Sequence, residues 1–276
     1  LDPEKSVLVT GASSGIGRAA ALHLAELGMK VYAGVRRDED AEALEAKGPV
    51  IAVRLDVTSA AEVAAVTTRI DAEGGLYGLV NNAGVYLGGA LELMSDEEIE
   101  STFAVNVVGL LRVTRACLPM LRRESGRIVN VSSISGLVAL PGVSVYAGSK
   151  HAVEAISDSL RVELSPFGMR VIAVEPGSID TEIWRKGASR DRAALGRGNA
   201  ALRELYEPLQ RLLEKLNENP RGIPPEAVAE VVGEALTAPD PDNRYLVGMD
   251  ARSLALTRYL PEGLRDRLIR KKVWRR

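Results

Sequence analysis

Short, almost wholly apolar runs rich in Val and Ile recur along this chain, separated by longer stretches of helical periodicity. The runs are Ser6 to Thr10, Lys30 to Val35, Val50 to Leu55, Gly78 to Val80, Arg127 to Val131, Arg170 to Val174 and Tyr245 to Val247. A strand wetted on one face alternates polar and apolar side chains; these runs read instead as strands covered on both faces of a parallel sheet. Parallel neighbours need crossovers, and the helical segments supply them with right-handed connections. The pattern predicts a doubly wound α/β Rossmann fold, a seven-stranded, mostly parallel sheet with helices on both faces. Ser59 with Glu62 and Ser95 with Glu98 have capping-box spacing and mark two helix starts.

The alternation lapses once, between Glu182 and Pro225. That stretch is charged and Gly-containing, then carries Leu202, Leu205, Tyr206, Leu209, Leu212, Leu213 and Leu216 at helical spacing. It reads either as a helical lid inserted over the substrate or as an extra helix packed on the domain's own side. No repeat or linker divides the chain, so residues 1–276 are read as a single domain with a substrate lid at 182–225.

Composition narrows the function. Lys+Arg number 35 and Asp+Glu 37, a balance that argues against a nucleic-acid partner. Aromatics are only 4%, so the core should be built of Ala, Val, Leu and Ile. Cys117 is the single cysteine, which excludes an internal disulfide and a thiolate metal cluster. His23 and His151 are too few for a His-based metal site. No apolar run approaches the length of a membrane span and no signal-peptide pattern is read, so a reducing, cytoplasmic setting is expected. The basic tail from Arg265 to Arg276, with Leu264, Leu268, Ile269 and Trp274, reads as a solvated helix or as a surface for an anionic membrane or a partner.

Thr10-Gly11-Ala12-Ser13-Ser14-Gly15-Ile16-Gly17 lies between the first strand and the first helix. Glycines there let the backbone turn sharply and approach a pyrophosphate, and the helix N-terminus offers unpaired N–H groups to it. No Gly-Lys-Ser/Thr follows, so an NTPase loop is disfavoured. NAD-selective sites place an acidic residue at the end of the second strand. Here that end reads Val35-Arg36-Arg37, and a guanidinium suits a 2′-phosphate. NADP(H) is therefore the expected cofactor, with NAD(H) the alternative.

Tyr146 and Lys150 stand four apart in helical sequence and so share a face. A unit cation about 4 Å away is worth roughly 4 kcal/mol at an effective dielectric of about 20. That would draw the phenol down towards neutrality, opposed by desolvation of the phenolate. Ser132 and Ser133 end the Arg127 strand, where ligands bind in open α/β sheets. Each of these residues alone is a common surface or capping group.

Together they resemble the short-chain dehydrogenase/reductase family in its single-domain form, from Val7 to about Val247. The resemblance rests on Thr10 to Gly17, Leu55-Asp56-Val57-Thr58, Asn81-Asn82-Ala83-Gly84, Asn106, Ser133, Tyr146-x-x-x-Lys150 and Pro176-Gly177 with Thr181. It implies that Tyr146 is the general acid–base and that Lys150 holds the nicotinamide ribose and lowers the phenol pKa. It implies that Ser133 polarises the substrate oxygen and that Asn106 anchors a relay water, although an Asn there can also simply satisfy a backbone carbonyl. By the same likeness Gly11, Ser13, Ser14, Gly15, Ile16 and Gly17 cradle phosphate, with Arg36 and Arg37 at the 2′-phosphate. Asp56 and Val57 meet adenine, Asn82, Ala83 and Gly84 the ribose side, and Pro176, Gly177, Ile179 and Thr181 the carboxamide side.

Gly75 to Val80 and Arg244 to Gly248 carry a closer likeness to bacterial reductases similar to steroid and retinol dehydrogenases. That implies a bulky lipophilic alcohol or ketone as substrate. Helices around Leu110 and Ala155 form dimer or tetramer interfaces in such proteins, so a homo-oligomer is expected. Two rivals stand beside this reading, a redox sensor that binds NADP(H) without turnover and a nucleotide-sugar epimerase or dehydratase.

Overall fold

The computed structural model describes residues 5–181, 196, 198–217 and 222–274. Seven strands form one sheet: β1 (Ser6–Val9), β2 (Lys30–Val35), β3 (Ile51–Arg54), β4 (Gly78–Asn81), β5 (Arg127–Val131), β6 (Arg170–Pro176) and β7 (Arg244–Val247). The order is β3-β2-β1-β4-β5-β6-β7, and every pairing is parallel. The chain steps outward from β1 to β3, returns past β1, and continues from β4 on the other side. That reversal opens a crevice at the C-terminal ends of β1 and β4, where ligands settle in such sheets.

Three helices follow the first strands, α1 (Gly15–Glu26), α2 (Asp38–Glu45) and α3 (Ala60–Ala72). Then come α4 (Asp96–Phe103), a π-helical turn (Ala104–Gly109), α5 (Leu110–Arg123) and α6 (Ser144–Leu164). The remainder is α7 (Ala200–Asn217), α8 (Pro225–Thr237), α9 (Met249–Leu256) and α10 (Glu262–Val273). Strand residues alternate between the two helical layers, as the two-residue period demands. Val7, Val9, Val129 and Val131 pack with Leu24 of α1 and Val228 and Val232 of α8. Leu8, Leu79 and Ile128 pack on the other face with Ile70 of α3 and Val113, Cys117 and Leu121 of α5.

The two expected capping boxes part company. Ser95 and Glu98 make both reciprocal bonds. Ser59 accepts from the Glu62 amide, while the Glu62 carboxylate turns instead to the Asp56 amide at 2.7 Å. That bond fastens the loop after β3 to the start of α3.

Sequence reading anticipated no stretch of membrane-span character, and one exists. The continuous helix Asp96–Arg123 contains an 18-residue window with mean hydropathy 1.4. Its apolarity is spent on the core, through Val113, Cys117, Met120 and Leu121, all buried. Phe103, Val108 and Leu111 remain exposed along it.

Helix α7 does not lie apart. Leu213, fully buried, packs with Tyr86, Val143, Tyr146 and Ala147. Leu209 joins Ala90, Leu93 and Val273 of α10, with Ile269 of the same helix partly buried against them. The basic terminal helix therefore docks one face on α7 and leaves Leu264 and Leu268 exposed. Residues 182–195, 197 and 218–221 of the expected lid lie outside the described residues.

Candidate active site

The glycine-rich turn is shaped by positions that only glycine fills well. Gly11 (φ +66) and Gly15 (φ +54) are left-handed. A Cβ on Gly17 would stand 2.3 Å from both Asn82 Nδ2 and Gly11 O, so α1 can start this close to β4 only without one. Asn82 Nδ2 donates to Thr10 O and Gly11 O at 3.0 and 3.1 Å. Thr10 Oγ1 accepts from the Asn82 and Ala83 amides, both at 3.0 Å. These bonds lash the end of β4 to the turn and fix the crevice width. Ser14, the N-cap of α1, makes no side-chain cap bond, so the first-turn amides face the crevice.

Gly11, Ser13, Ser14, Gly15 and Ile16 line the crevice from the turn, Arg36 from the end of β2, and Asp56 and Val57 from the end of β3. Asn82, Ala83 and Gly84 form its wall beyond β4. Gly17 sits behind the lining as a packing residue. The two arginines separate: Arg36 borders the crevice, whereas Arg37 is paired with Asp40 at 2.8 Å and is absent from the lining. Burial alone would raise the Asp56 carboxyl, but hydrogen bonds from Thr58 and the charges of Arg36 and Arg112 hold it below its usual range.

The crevice continues past Ile16, Asn82 and Gly84 into a second compartment. There Ser133, Tyr146, Lys150, Pro176, Gly177, Ile179 and Thr181 meet. Ser133, extended at the end of β5, accepts from the Ser135 amide at 3.1 Å, and its hydroxyl lies near enough to the Tyr146 phenol to favour the phenol's ionised form. Lys150 donates from Nζ to Val131 O at 2.9 Å. A Cβ on Gly84 would lie 3.4 Å from Asn106 Oδ1 and 3.7 Å from Lys150 Nζ, so both side chains close on that glycine.

One expectation is corrected here. The cation was expected to pull the phenol towards neutrality, yet Tyr146 is pushed up to about 12 by burial, with Ser133 drawing it partly back. Lys150 Nζ stands 5.9 Å from the phenol ring centre and is itself brought down to about 8 by burial, against a pull from Glu154. Desolvation outweighs the pairwise attraction because both groups are enclosed. Asn106 also differs from an ordinary helical residue, since it lies in the π-helical turn. Its Oδ1 accepts from the Val85 amide at 2.8 Å, and Nδ2 donates to Val85 O and Ser149 Oγ at 2.9 and 3.0 Å.

Three features escaped sequence reasoning. Tyr86 packs against Tyr146 in a tilted arrangement, with ring centres 5.1 Å apart and 58° between planes. Asn81 donates to Thr114 and to Asn130, and Asn130 to Ser157, each at 2.9 Å, so a buried polar chain joins β4, β5, α5 and α6 behind the catalytic compartment. The buried Glu154 and Glu175 form a charge cluster beside it with the partly exposed Arg244. The Asn81 in the Asn pair was the only sequence pointer to the polar chain.

An open parallel sheet with a glycine-rich turn and a Ser/Tyr/Lys constellation at its switch-point crevice defines a Rossmann-type oxidoreductase. The family model for short chain dehydrogenases matches residues 5–192, and the chain belongs to that family. Mouse retinol dehydrogenase 16 is 36% identical over 96% of this chain and 88% of its own length. A short chain dehydrogenase from Burkholderia cenocepacia, solved in complex with NADP, superposes with TM-score 0.77 at 30% identity, covering 97% of this chain and 99% of that one. A short chain dehydrogenase/reductase from Burkholderia phymatum, solved with NAD, gives TM-score 0.76 at 29% identity, covering 92% of each chain.

Proposed function

We propose that this oxidoreductase uses NADP(H) to interconvert a carbonyl and an alcohol on a bulky lipophilic substrate. The observation that carries the chemistry is the meeting of Ser133, Tyr146 and Lys150 in one compartment continuous with the glycine-rich crevice. The crevice suits a dinucleotide. Its turn has no room for a Cβ at Gly17, its helix amides are open, and Arg36 supplies positive charge at the β2 end. Gly11 to Ile16 would hold the phosphates, Arg36 the 2′-phosphate, Asp56 and Val57 the adenine, and Thr181 and Ile179 the carboxamide. When bound, the nicotinamide supplies or accepts hydride.

In carbonyl reduction Ser133 orients the substrate oxygen, and Tyr146 Oη hands its proton to that oxygen. A phenol near 12 is fully protonated at neutral pH, which suits a donor. Lys150, with its ammonium beside Gly84, stabilises the phenolate left behind and binds the nicotinamide ribose. Both Asn106 amide hydrogens and one lone pair of Oδ1 are already used. A relay water would therefore be held by the remaining lone pair or by the Asn106 main-chain carbonyl.

The ammonium sets the pH dependence. Lys150 is charged below its folded pKa of about 8 and loses its charge above it, so kcat for reduction should hold to about pH 8 and fall beyond. A stopped-time assay of NADPH oxidation with an aliphatic–aromatic ketone across pH 6 to pH 10 reads this directly, with roughly tenfold loss per unit on the alkaline limb. A profile that rises through that range contradicts the ammonium's role.

Tyr86, Val143 and Leu213 pack with Tyr146 in an apolar cluster behind the catalytic compartment, and that surround supports a lipophilic substrate. Helix α7 supplies Leu213 and is read as part of the lid. Leu213→Ala should raise KM for a bulky ketone about tenfold, the worth of one lost apolar contact, while leaving KM for NADPH nearly unchanged. Equal effects on both would deny the helix a role at the substrate. Exposed Phe103, Val108 and Leu111 on the α4–α5 helix, with Ala155 exposed on α6, support a homodimer or homotetramer. Cys117 is free and buried, its thiol pushed up to about 12 by burial, which suits a reducing cytoplasmic setting.

A further inference from the structure

Tyr146, Lys150, Glu154 and Asp158 follow one another at intervals of four along α6, and so form one stripe of the helix. The first two belong to the catalytic compartment. Glu154 lies one turn behind Lys150 and is only 6% exposed. Opposite it, Glu175 projects from β6 at 1% exposure, immediately before Pro176 of the compartment wall. Arg244, from β7, bridges them: its NH1 contacts a Glu154 oxygen and reaches Glu175 Oε1 at 2.6 Å, and its NH2 reaches Asp158.

Two enclosed carboxyl groups thus depend on one guanidinium that is itself partly exposed and divided further with Asp158. Such a pair retains a proton between them. The hydrogen bonding fits this: Glu154 Oε1 is buried without a donor among the described residues, and the Glu175 carboxyl is within hydrogen-bonding reach of Glu154. Burial and the Glu154 charge push Glu175 up to about 7, opposed by Arg244. Protonated Glu175 is the missing donor.

We propose that Glu154 is a positioning residue for the active site, its carboxylate keeping the Lys150 ammonium charged from one helical turn behind, with Glu175 and Arg244 as a proton-sharing clamp that fixes it there. This rests on the reading of Lys150 as part of the catalytic constellation. The charged groups bearing on Glu154 are Lys150 and Asp158 on its own helix, Asp158 being paired with Arg161. Glu175 comes from β6 and Arg244 from β7, and Asp250 of α9 lies beyond, against Gly177 and the Ser178 amide. The turn Ile134–Gly136, packed on the same face, has no titratable side chain. A Cβ on Gly136 would lie 3.0 Å from both Glu154 Cγ and Lys150 O, so that turn holds the stripe closely.

The sign follows from the geometry. A carboxylate near an enclosed ammonium raises its pKa; neutralising the carboxylate lowers it. The test is an NMR titration of the full chain labelled with carbon-13 at lysine Cε, the Lys150 resonance being assigned by its loss in Lys150→Arg. Glu154→Gln should lower the Lys150 pKa by roughly one unit, and Glu154→Asp should restore most of it. Glu175→Gln copies the protonated partner and should leave Lys150 nearly in place. The alkaline limb of ketone reduction should move with Lys150 in each variant. An unmoved Lys150 in Glu154→Gln, or an equal shift in Glu175→Gln, overturns the proposal. Should Glu154→Gln fail to fold, the unmodified chain still decides: with glutamate Cδ labelled, one carboxyl must titrate near 7. No glutamate titrating above the ordinary range overturns the proton-sharing clamp. An unmodified chain inactive on every ketone, yet showing the Lys150 shift, would defeat the oxidoreductase chemistry while upholding the charge coupling.

Discussion

Tyr146→Phe is expected to lower kcat for carbonyl reduction about 10³-fold, within the range that one general acid contributes. The substitution is close to a pure deletion of one oxygen. The ring is enclosed by Tyr86, Val143, Ala147 and Leu213, and Phe fills the same space in the same rotamer. The adenosine end of the crevice is built from β1 to β4 and does not involve α6, so NADPH affinity, measured by nicotinamide fluorescence, should change less than about threefold. The result discriminates between donors. Lys150, near 8, is the only other titratable group lining the compartment among the described residues, and it donates to Val131 O. If Lys150 delivered the proton, the Phe variant would keep more than a tenth of its activity. A redox sensor gives a different pattern again: NADPH bound tightly, with no ketone turned over even before substitution.

How much of this was legible before the structure depends on whether a residue's role is set by neighbours in sequence or across the sheet. The strands were legible because burial on both faces leaves no polar alternation, and all seven fall within a few residues of where composition put them. The Tyr146–Lys150 face was legible because a helix places such neighbours together whatever surrounds them. The phenol's protonation was not, because it depends on burial, which Tyr86 from the β4 loop and Leu213 from α7 jointly impose. Both come from segments remote in sequence. Arg36 and Arg37 looked equivalent for the same reason. The capping box at Ser59 was half right because the nearby Asp56 amide competes for Glu62 and wins by position. The clamp of Glu154, Glu175 and Arg244 draws on α6, β6 and β7, and no local pattern announces it.

The separation of the two arginines makes the second large prediction. Arg37 is committed to Asp40 in a bidentate pair of 2.8 and 2.9 Å at the start of α2. Arg36 borders the crevice from just beyond the end of β2, and its charge is felt by Asp56 across the adenine end. The floor between them is Gly34, where a Cβ would meet Leu55 at 2.9 Å, so the chain runs flat enough for an adenosine to reach Arg36. A guanidinium contacting a phosphate makes charge-assisted bonds worth about 1.5–3 kcal/mol each. Losing one such bond costs about 10- to 160-fold in affinity. Arg36→Ala should therefore lower kcat/KM for NADPH by about that factor and leave kcat/KM for NADH within about twofold. Its exposed position predicts no more than about 0.5 kcal/mol change in stability, so the loss cannot be ascribed to unfolding. Arg37→Ala should alter the NADPH-to-NADH ratio less than about threefold, the surface pair with Asp40 being worth little. Since a 2′-phosphate is the sole difference between the cofactors, the ratio isolates one contact. If Arg36→Ala lowers both cofactors equally, Arg36 serves the common adenosine or pyrophosphate; if it lowers neither, the chain takes NADH and the carboxylate of Asp56 is the residue to alter next.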